Sequence, residues 1–317
     1  MDKITNAKHK GDGPQPYPSK IYCLDFTMTI VQSLRFTLAA LAITGLAACT
    51  GNPSLHTSKE KEPMTTQKQQ VVALLKAIET GDSAPVAVIN PNKYIQHNLS
   101  AADGLAGFGA LLQALPKGSA KANTVRVFQD GDLVFAHTEY NFFGPKIGFD
   151  IFRFEEGKIV EHWDNLQETP AKANPSGHTM VDGPVQSTDL DKTSANKALV
   201  KSFVEDILVN GRMDKLAGYY AGDHYVQHNP QIGDGLSGLG QALQAMAKAG
   251  ITMKYDHIHR VLGEGNFVLV ASEGNFAGKP SSFYDLFRVQ DGKIAEHWDT
   301  IETIPARSEW KNANGKF

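Results

Sequence analysis

The sequence predicts an α+β fold in two tandem domains, on three observations. The phrase YIQHN at Tyr94–Asn98 recurs as YVQHN at Tyr225–Asn229, and GKIVEHWDNLQETP from Gly157 recurs as GKIAEHWDTIETIP from Gly292. In each half, helix-period segments come first and strand-period segments second, the order of an α+β domain rather than of a doubly wound sheet. A chain of 317 residues has room for two such domains.

The elements follow in the same order twice. QKQQVVALLKAIETGD places Val71, Leu74, Leu75 and Ile78 on one helical face, with Gly81 as the stop. SANKALVKSFVEDILVNG repeats this with Leu199, Val200, Phe203, Val204 and Ile207, stopped by Gly211. A short helical stretch precedes each QHN phrase, which itself enters a loop or short strand. A further helix follows it, in LAGFGALLQALPKG and LSGLGQALQAMAKAG. Strands then take over, with hairpin turns expected at Asp130-Gly131, Glu156-Gly157 and Asp291-Gly292. The domains are read as 66–170 and 193–317, joined by a Pro-, Gly- and Ser-rich linker at 171–192.

The N-terminus reads as a targeting segment. Arg35 precedes an apolar run from Phe36 to Leu46, too short for a spanning helix but suited to a signal core. It ends in Leu46-Ala47-Ala48-Cys49, which resembles the bacterial lipobox. That resemblance implies lipidation of Cys49 and a lipid-anchored place in the bacterial cell envelope, facing the periplasm. An ordinary buried apolar run would instead mean a cytoplasmic protein. Residues 1–49 are assigned to the extension and signal, and 50–65 to a flexible tether.

Composition narrows the function. A net charge of −3 argues against a nucleic-acid partner. No Gly-rich loop opens a helix as a nucleotide site would need. Both cysteines lie in the first 50 residues, so the folded remainder has no thiolate nucleophile, disulfide or Cys-ligated zinc.

The chemistry gathers around the EHWD strands. Strand alternation puts Val160, His162, Asp164 and Leu166 on one face, and Ile159, Glu161, Trp163 and Asn165 on the other. His297 and Asp299 repeat the first pattern. His and Asp then stand roughly 7 Å apart, able to bracket a small carbonyl compound. Both faces mix polar and apolar residues, so the period does not say which points inward. If the Glu156-Gly157 turn is a type I turn with a glycine bulge, Asp150 lies opposite His162, and Asp285 opposite His297. A tighter two-residue turn puts Asp150 opposite Trp163. In the bulged form, Asp150 orients His162. Imidazole and carboxylate move protons near neutral pH, and an amide or neutral imidazole can donate to a developing enolate oxygen. His97 and Asn98, with His228 and Asn229, are candidates for the ligand-binding wall, or they serve the fold through buried hydrogen bonds. Trp163 and Trp298 read as core or interface residues. Arg153 and Arg288 suit salt bridges to nearby carboxylates. No HxxxH or HExxH pair pre-places metal ligands on a helix, so no metal and no cofactor are expected.

With QHN, DIFRFEEGKIVEHWD and YDLFRVQDGKIAEHWD, both halves resemble the SnoaL-like, polyketide cyclase-like branch of the nuclear transport factor 2-like superfamily. The resemblance implies two cone-shaped domains, each of about three helices packed on a strongly bent antiparallel sheet around an apolar pocket. It implies cofactor-independent aldol condensation or isomerase-type proton transfer beside a carbonyl. Asp164 and Asp299 match the family's late-strand acid/base, with His162 and His297 beside them. It also implies sheet-mediated pairing, within the chain or between copies. The alternative is a non-catalytic envelope protein that binds a small apolar metabolite or a protein partner.

Overall fold

The computed structural model describes residues 66–115 and 118–317. The signal, Cys49 and tether assignments lie outside these residues. Among the described residues, no helix is long and apolar enough to cross a membrane.

The fold is α+β with two five-stranded sheets. In the first half, α1 (Gln67–Thr80) is followed by a 3-10 turn (Pro85–Val88), β1 (Ile95–Gln96), α2 (Gly104–Ala114), β2 (Lys121–Asp130), β3 (Leu133–Asn141), β4 (Pro145–Glu155) and β5 (Lys158–Glu168). In the second half, α3 (Thr193–Phe203) runs on through a π turn and is followed by a 3-10 turn (Met213–Tyr219). Then come β6 (Val226–Gln227), α4 (Gly235–Lys248), β7 (Met253–Glu264), β8 (Phe267–Phe276), β9 (Lys279–Gln290) and β10 (Lys293–Thr303). The strand orders are β1-β5-β4-β3-β2 and β6-β10-β9-β8-β7.

Local chemistry explains the boundaries. Thr66 and Gln69 form a reciprocal capping box on α1, and Gly81 ends the helix at φ 70. The long strands pair antiparallel. However, each short QHN strand lies parallel to the EHWD strand, with Gln96 opposite His162 and Gln227 opposite His297. Each sheet is therefore mixed at one edge.

The strand register corrects the sequence expectation. Glu155 pairs with Lys158, and Glu156 and Gly157 both have positive φ, so the turn is a tight two-residue one. The extra residue sits inside β5 instead, as a bulge at Val160. The bulge moves Asp150 opposite Asp164 and Phe152 opposite His162. The second half does the same at Ala295, leaving Asp285 opposite Asp299.

Both sheets are buried on both faces. One face of the first sheet packs against α1 and α2 through Leu74, Phe108, Val134 and Phe152. The second sheet does likewise with Phe203, Val270, Phe283 and Phe287. The opposite faces share one apolar layer in which Phe135, Ile151 and Trp163 meet Phe267, Leu286 and Trp298.

Candidate functional site

In the first half, the helix-covered face of the sheet leaves a cavity of about 340 Å³. Leu74, Leu75, Leu111 and Phe108 form its apolar wall, and Phe143, 65% exposed, stands at its margin. Tyr94, Gln96, Asn98, Asp150, His162 and Asp164 form its polar end. Strand alternation and the parallel β1–β5 edge bring these six together.

A connected set of hydrogen bonds holds that end. Gln96 Oε1 accepts from the Asn98 backbone N–H at 2.8 Å and meets His162 Nδ1 at 2.9 Å, so Nδ1 carries a hydrogen. His162 Nε2 faces Asp150 Oδ1 at 3.2 Å, and Tyr140 Oη donates to Asp150 Oδ2 at 2.7 Å. Burial pushes the Asp150 carboxyl up, although the His162 hydrogen bond opposes this. Asn98 Nδ2 donates to Asp164 Oδ2 at 2.5 Å. Asp164 Oδ1 is buried with no hydrogen-bond partner, and the nearest cation, Lys316 Nζ, stands 3.6 Å away. Lys316 is held by Glu302 at 2.7 Å. Burial alone would lower its pKa, but the Glu302 and Asp164 charges raise it, so it stays an ammonium.

The second half builds the same cluster. His297 Nδ1 meets Gln227 Oε1 and His297 Nε2 meets Asp285 Oδ1, both at 3.0 Å. Asn229 Nδ2 reaches both Asp299 oxygens, at 3.0 and 2.7 Å. Tyr255 Oη reaches Asp285 at 3.2 Å. This tyrosine comes from β7, whereas Tyr140 comes from β3. Ala122 pairs with Tyr140 where Tyr255 pairs with Gly274, so the hydroxyl is delivered from either member of one cross-strand pair.

The structure separates the two QHN histidines from the cavity. His97 points to the opposite face, stacks on Trp163 at 4.8 Å, and meets Glu161 Oε1 at 3.0 Å and Gly315 O at 2.9 Å. His228 stacks on Trp298 and meets Glu296 Oε1 and Thr179 O, both at 2.8 Å. Arg153 and Arg288 complete these networks on Glu161 and Glu296. The ligand-binding assignment of His97 and His228 is thus corrected. Where the extended backbone runs on past β1 and β6, the middle letter of QHN faces away from its neighbours. His97→Ala is expected to cost about 2 kcal/mol, because it strips one partner from a half-buried carboxylate and a stack from Trp163. A urea-unfolding midpoint unchanged from wild type would contradict this.

Sequence reasoning missed Gln96, Tyr94, Tyr140, Glu302 and Lys316. The repeated glutamine was a usable signal for Gln96, since it shares a face with Asn98. Tyr94 opens the same repeated phrase, and the other three come from elements remote in sequence.

Burial raises the Asp299 carboxyl to about 6, against the pull of His297. His297 is itself raised, because the Asp285 hydrogen bond and the two carboxylate charges outweigh its burial. A raised carboxyl means that the folded state holds a proton which the unfolded chain releases near pH 4. Stability therefore falls as pH rises from about 4 to about 6, by up to about 3 kcal/mol. The raised His297 acts in the same direction, stabilising below its unfolded pKa and losing that contribution as pH rises through the folded one. Asp299→Asn is expected to flatten the urea midpoint across this window, and an unchanged slope would contradict the assignment.

Asp150, His162 and Asp164 each offer a ligand atom within 4.8 Å of the others, as do His178, Asp182 and His228. In the second group, His228 Nδ1 already meets Thr179 O and its Nε2 meets Glu296 Oε1, both at 2.8 Å.

Fold and site define an α+β chain with an apolar cavity ending in carboxylate, imidazole and amide groups. The SnoaL-like domain family model matches residues 200–297, in the second half. Solved structures with similarity include IdmH of Streptomyces antibioticus, assigned as a polyketide cyclase. It is 18% identical, with 31% of this chain and 89% of that one covered and a TM-score of 0.28. An NTF2-like protein of Cytophaga hutchinsonii is 14% identical, covering 34% and 95%, with a TM-score of 0.30. A LEH-like epoxide hydrolase of M. tuberculosis is 23% identical, covering 35% and 85%, with a TM-score of 0.27. No curated protein matches the chain.

Proposed function

We propose that the first-half cavity moves a proton at the carbon beside a carbonyl of a small apolar compound, without a cofactor. This is the step shared by aldol-type cyclisation and isomerisation. The observation that carries the reading is Asp164. One oxygen is fixed by Asn98, while the other is buried, without a hydrogen-bond partner, at the polar end of an apolar cavity.

In this reading Asp164 Oδ1 takes the proton from carbon, and the C–H electron pair moves onto the carbonyl oxygen as an enolate. The Tyr94 hydroxyl, which accepts only a long 3.5 Å contact from Gln96, donates to that oxygen. Burial pushes the Tyr94 phenol well above its usual range, so it remains protonated as a donor. The His162–Asp150–Tyr140 chain keeps Gln96, and through it Asn98, in place. Return of the proton from Asp164 to another carbon completes isomerisation, and return to the same carbon gives exchange once the carboxyl proton has been traded for a deuteron of the solvent.

The test uses 2-tetralone, an apolar ketone with acidic α-hydrogens, in D₂O. The protein is expected to speed α-hydrogen exchange by roughly 10²-fold or more over buffer, followed by proton NMR. Saturable binding with exchange at the buffer rate would instead support a binding protein.

A further inference from the structure

The two halves carry the same polar cluster with different residues around it. Strand register defines the equivalent positions. Ala136 opposes Asp150 where Val270 opposes Asp285. Gly148 precedes Asp150 by the same step as Phe283 precedes Asp285, and Ile89 bridges to Ile159 where Tyr220 bridges to Ile294. Along the first helices, the buried pattern aligns Leu74 with Phe203. At each of these positions the second half has the larger residue. Phe203 packs edge-on against Tyr220 and Phe287, and Tyr255 stacks on Phe283 at 4.1 Å. In the first half, Leu166 and Tyr140 occupy the space beside Gly148. A Cβ there would come within 2.5 Å of Leu166 and 3.0 Å of Tyr140.

The charges are unequal too, and they cross between the halves. Glu302, on β10, lines the first-half cavity and accepts from the Leu166 backbone N–H at 2.9 Å. Its counterpart Gln167, on β5, accepts from Ile301 N–H at 2.8 Å. Lys316 follows Gly315, whose carbonyl meets His97, as Met180 follows Thr179, whose carbonyl meets His228. Behind Asp164, then, stands an ion pair, Glu302–Lys316, contributed by the second half. The counterparts of Glu302 and Lys316 are Gln167 and Met180, which carry no charge. The C-terminal segment is tied down over the first QHN turn, where Asn312 donates to Asn98 O and Ala101 O, and Asn314 to Gln96 O.

We propose that the chain takes one small ligand, in the first-half cavity, and that the second half has become its support, with its own cavity filled by aromatic side chains and with Lys316 completing the first site. The ligand class is a compound with an apolar body of one or two rings and a single oxygen head directed at Asp164. Lys316 acts through Asp164 as a positioning residue, since its ammonium stands 3.6 Å from the Oδ1 atom that meets the ligand. The inference rests on the cavity being the ligand site, not on the proton transfer.

The test uses the full chain and 2-naphthol, which has the shape of the tetralone enol. Equilibrium dialysis and native mass spectrometry are expected to saturate at one naphthol per chain. Leu74→Phe, which installs the second half's residue, is expected to weaken binding at least tenfold with the circular dichroism spectrum retained. Should it not fold, Leu112→Phe narrows the same cavity. Lys316→Met, which installs the residue of the other half, is expected to weaken naphthol binding about tenfold with the circular dichroism spectrum retained, and Lys316→Arg, which keeps a cation there, to restore most of it. Two naphthols per chain, none at millimolar probe, or undiminished binding in both filled variants overturns the single-site proposal. Wild-type binding in the Lys316→Met protein, or no recovery in Lys316→Arg, overturns the role of Lys316. One naphthol bound without any tetralone exchange would remove the proton-transfer reading and leave this inference standing.

Discussion

Asp164→Asn is expected to cut 2-tetralone exchange by about 10²- to 10⁴-fold, the usual contribution of a positioned general base. The substitution keeps the shape of the side chain and leaves an amide oxygen able to accept from Asn98. What it removes is the lone pair and charge at Oδ1, the atom with no hydrogen-bond partner at the cavity end. Lys316 keeps its 2.7 Å contact with Glu302, so the buried ammonium is not orphaned. The loss should therefore fall on the exchange rate rather than on the unfolding midpoint. Exchange at the wild-type rate in a folded Asp164→Asn protein would place the base elsewhere.

Element type and order were legible in the sequence because helix-period and strand-period segments were long and bounded by glycines. Gly81 and the Glu156-Gly157 turn fall where punctuation predicts them. The register was not legible, because it depends on where the extra residue sits. A bulge in the turn and a bulge at Val160 give the same hairpin in sequence, but they shift Asp150 to different partners.

The facing of the EHWD strand was ambiguous for a related reason. Both faces of each sheet are buried, so neither shows a clean apolar period. One face meets the helices and the other meets the opposite sheet, and each has polar residues with internal partners. Asn165, fully buried, donates to Thr300 O at 2.8 Å across that layer. His97 was misplaced because its phrase was read as one unit, whereas alternation splits it into Gln96 and Asn98 on one side and His97 on the other. Lys316 had no local signal, since only the docking of the C-terminal segment brings it to Asp164.

Trp298→Ala is expected to cost about 3–5 kcal/mol, at the upper end for large-to-small changes in a core. Trp298 is fully buried in the layer shared by the two sheets. One face of its ring stacks on His228 at 4.6 Å, and the Arg126 guanidinium lies 4.4 Å from its centroid. Its indole N–H donates to Asp182 O at 3.0 Å, tying the segment between the halves to the second sheet. Truncation thus removes an apolar ring, a cation–π contact and a hydrogen bond at once. It leaves Arg126 buried, with its three carbonyl partners Pro184, Val181 and Asp182 still fixed but without the ring beneath it. Trp163 gives the internal comparison. It also stacks on a histidine and lies under Arg260 at 3.9 Å, but its indole nitrogen has no hydrogen-bond partner. Trp163→Phe should therefore be milder than Trp298→Phe by roughly the 1 kcal/mol of a buried hydrogen bond. Urea unfolding followed by circular dichroism measures all three variants. Equal losses for the two phenylalanine variants would mean that the Asp182 contact does not hold the segment between the halves in place.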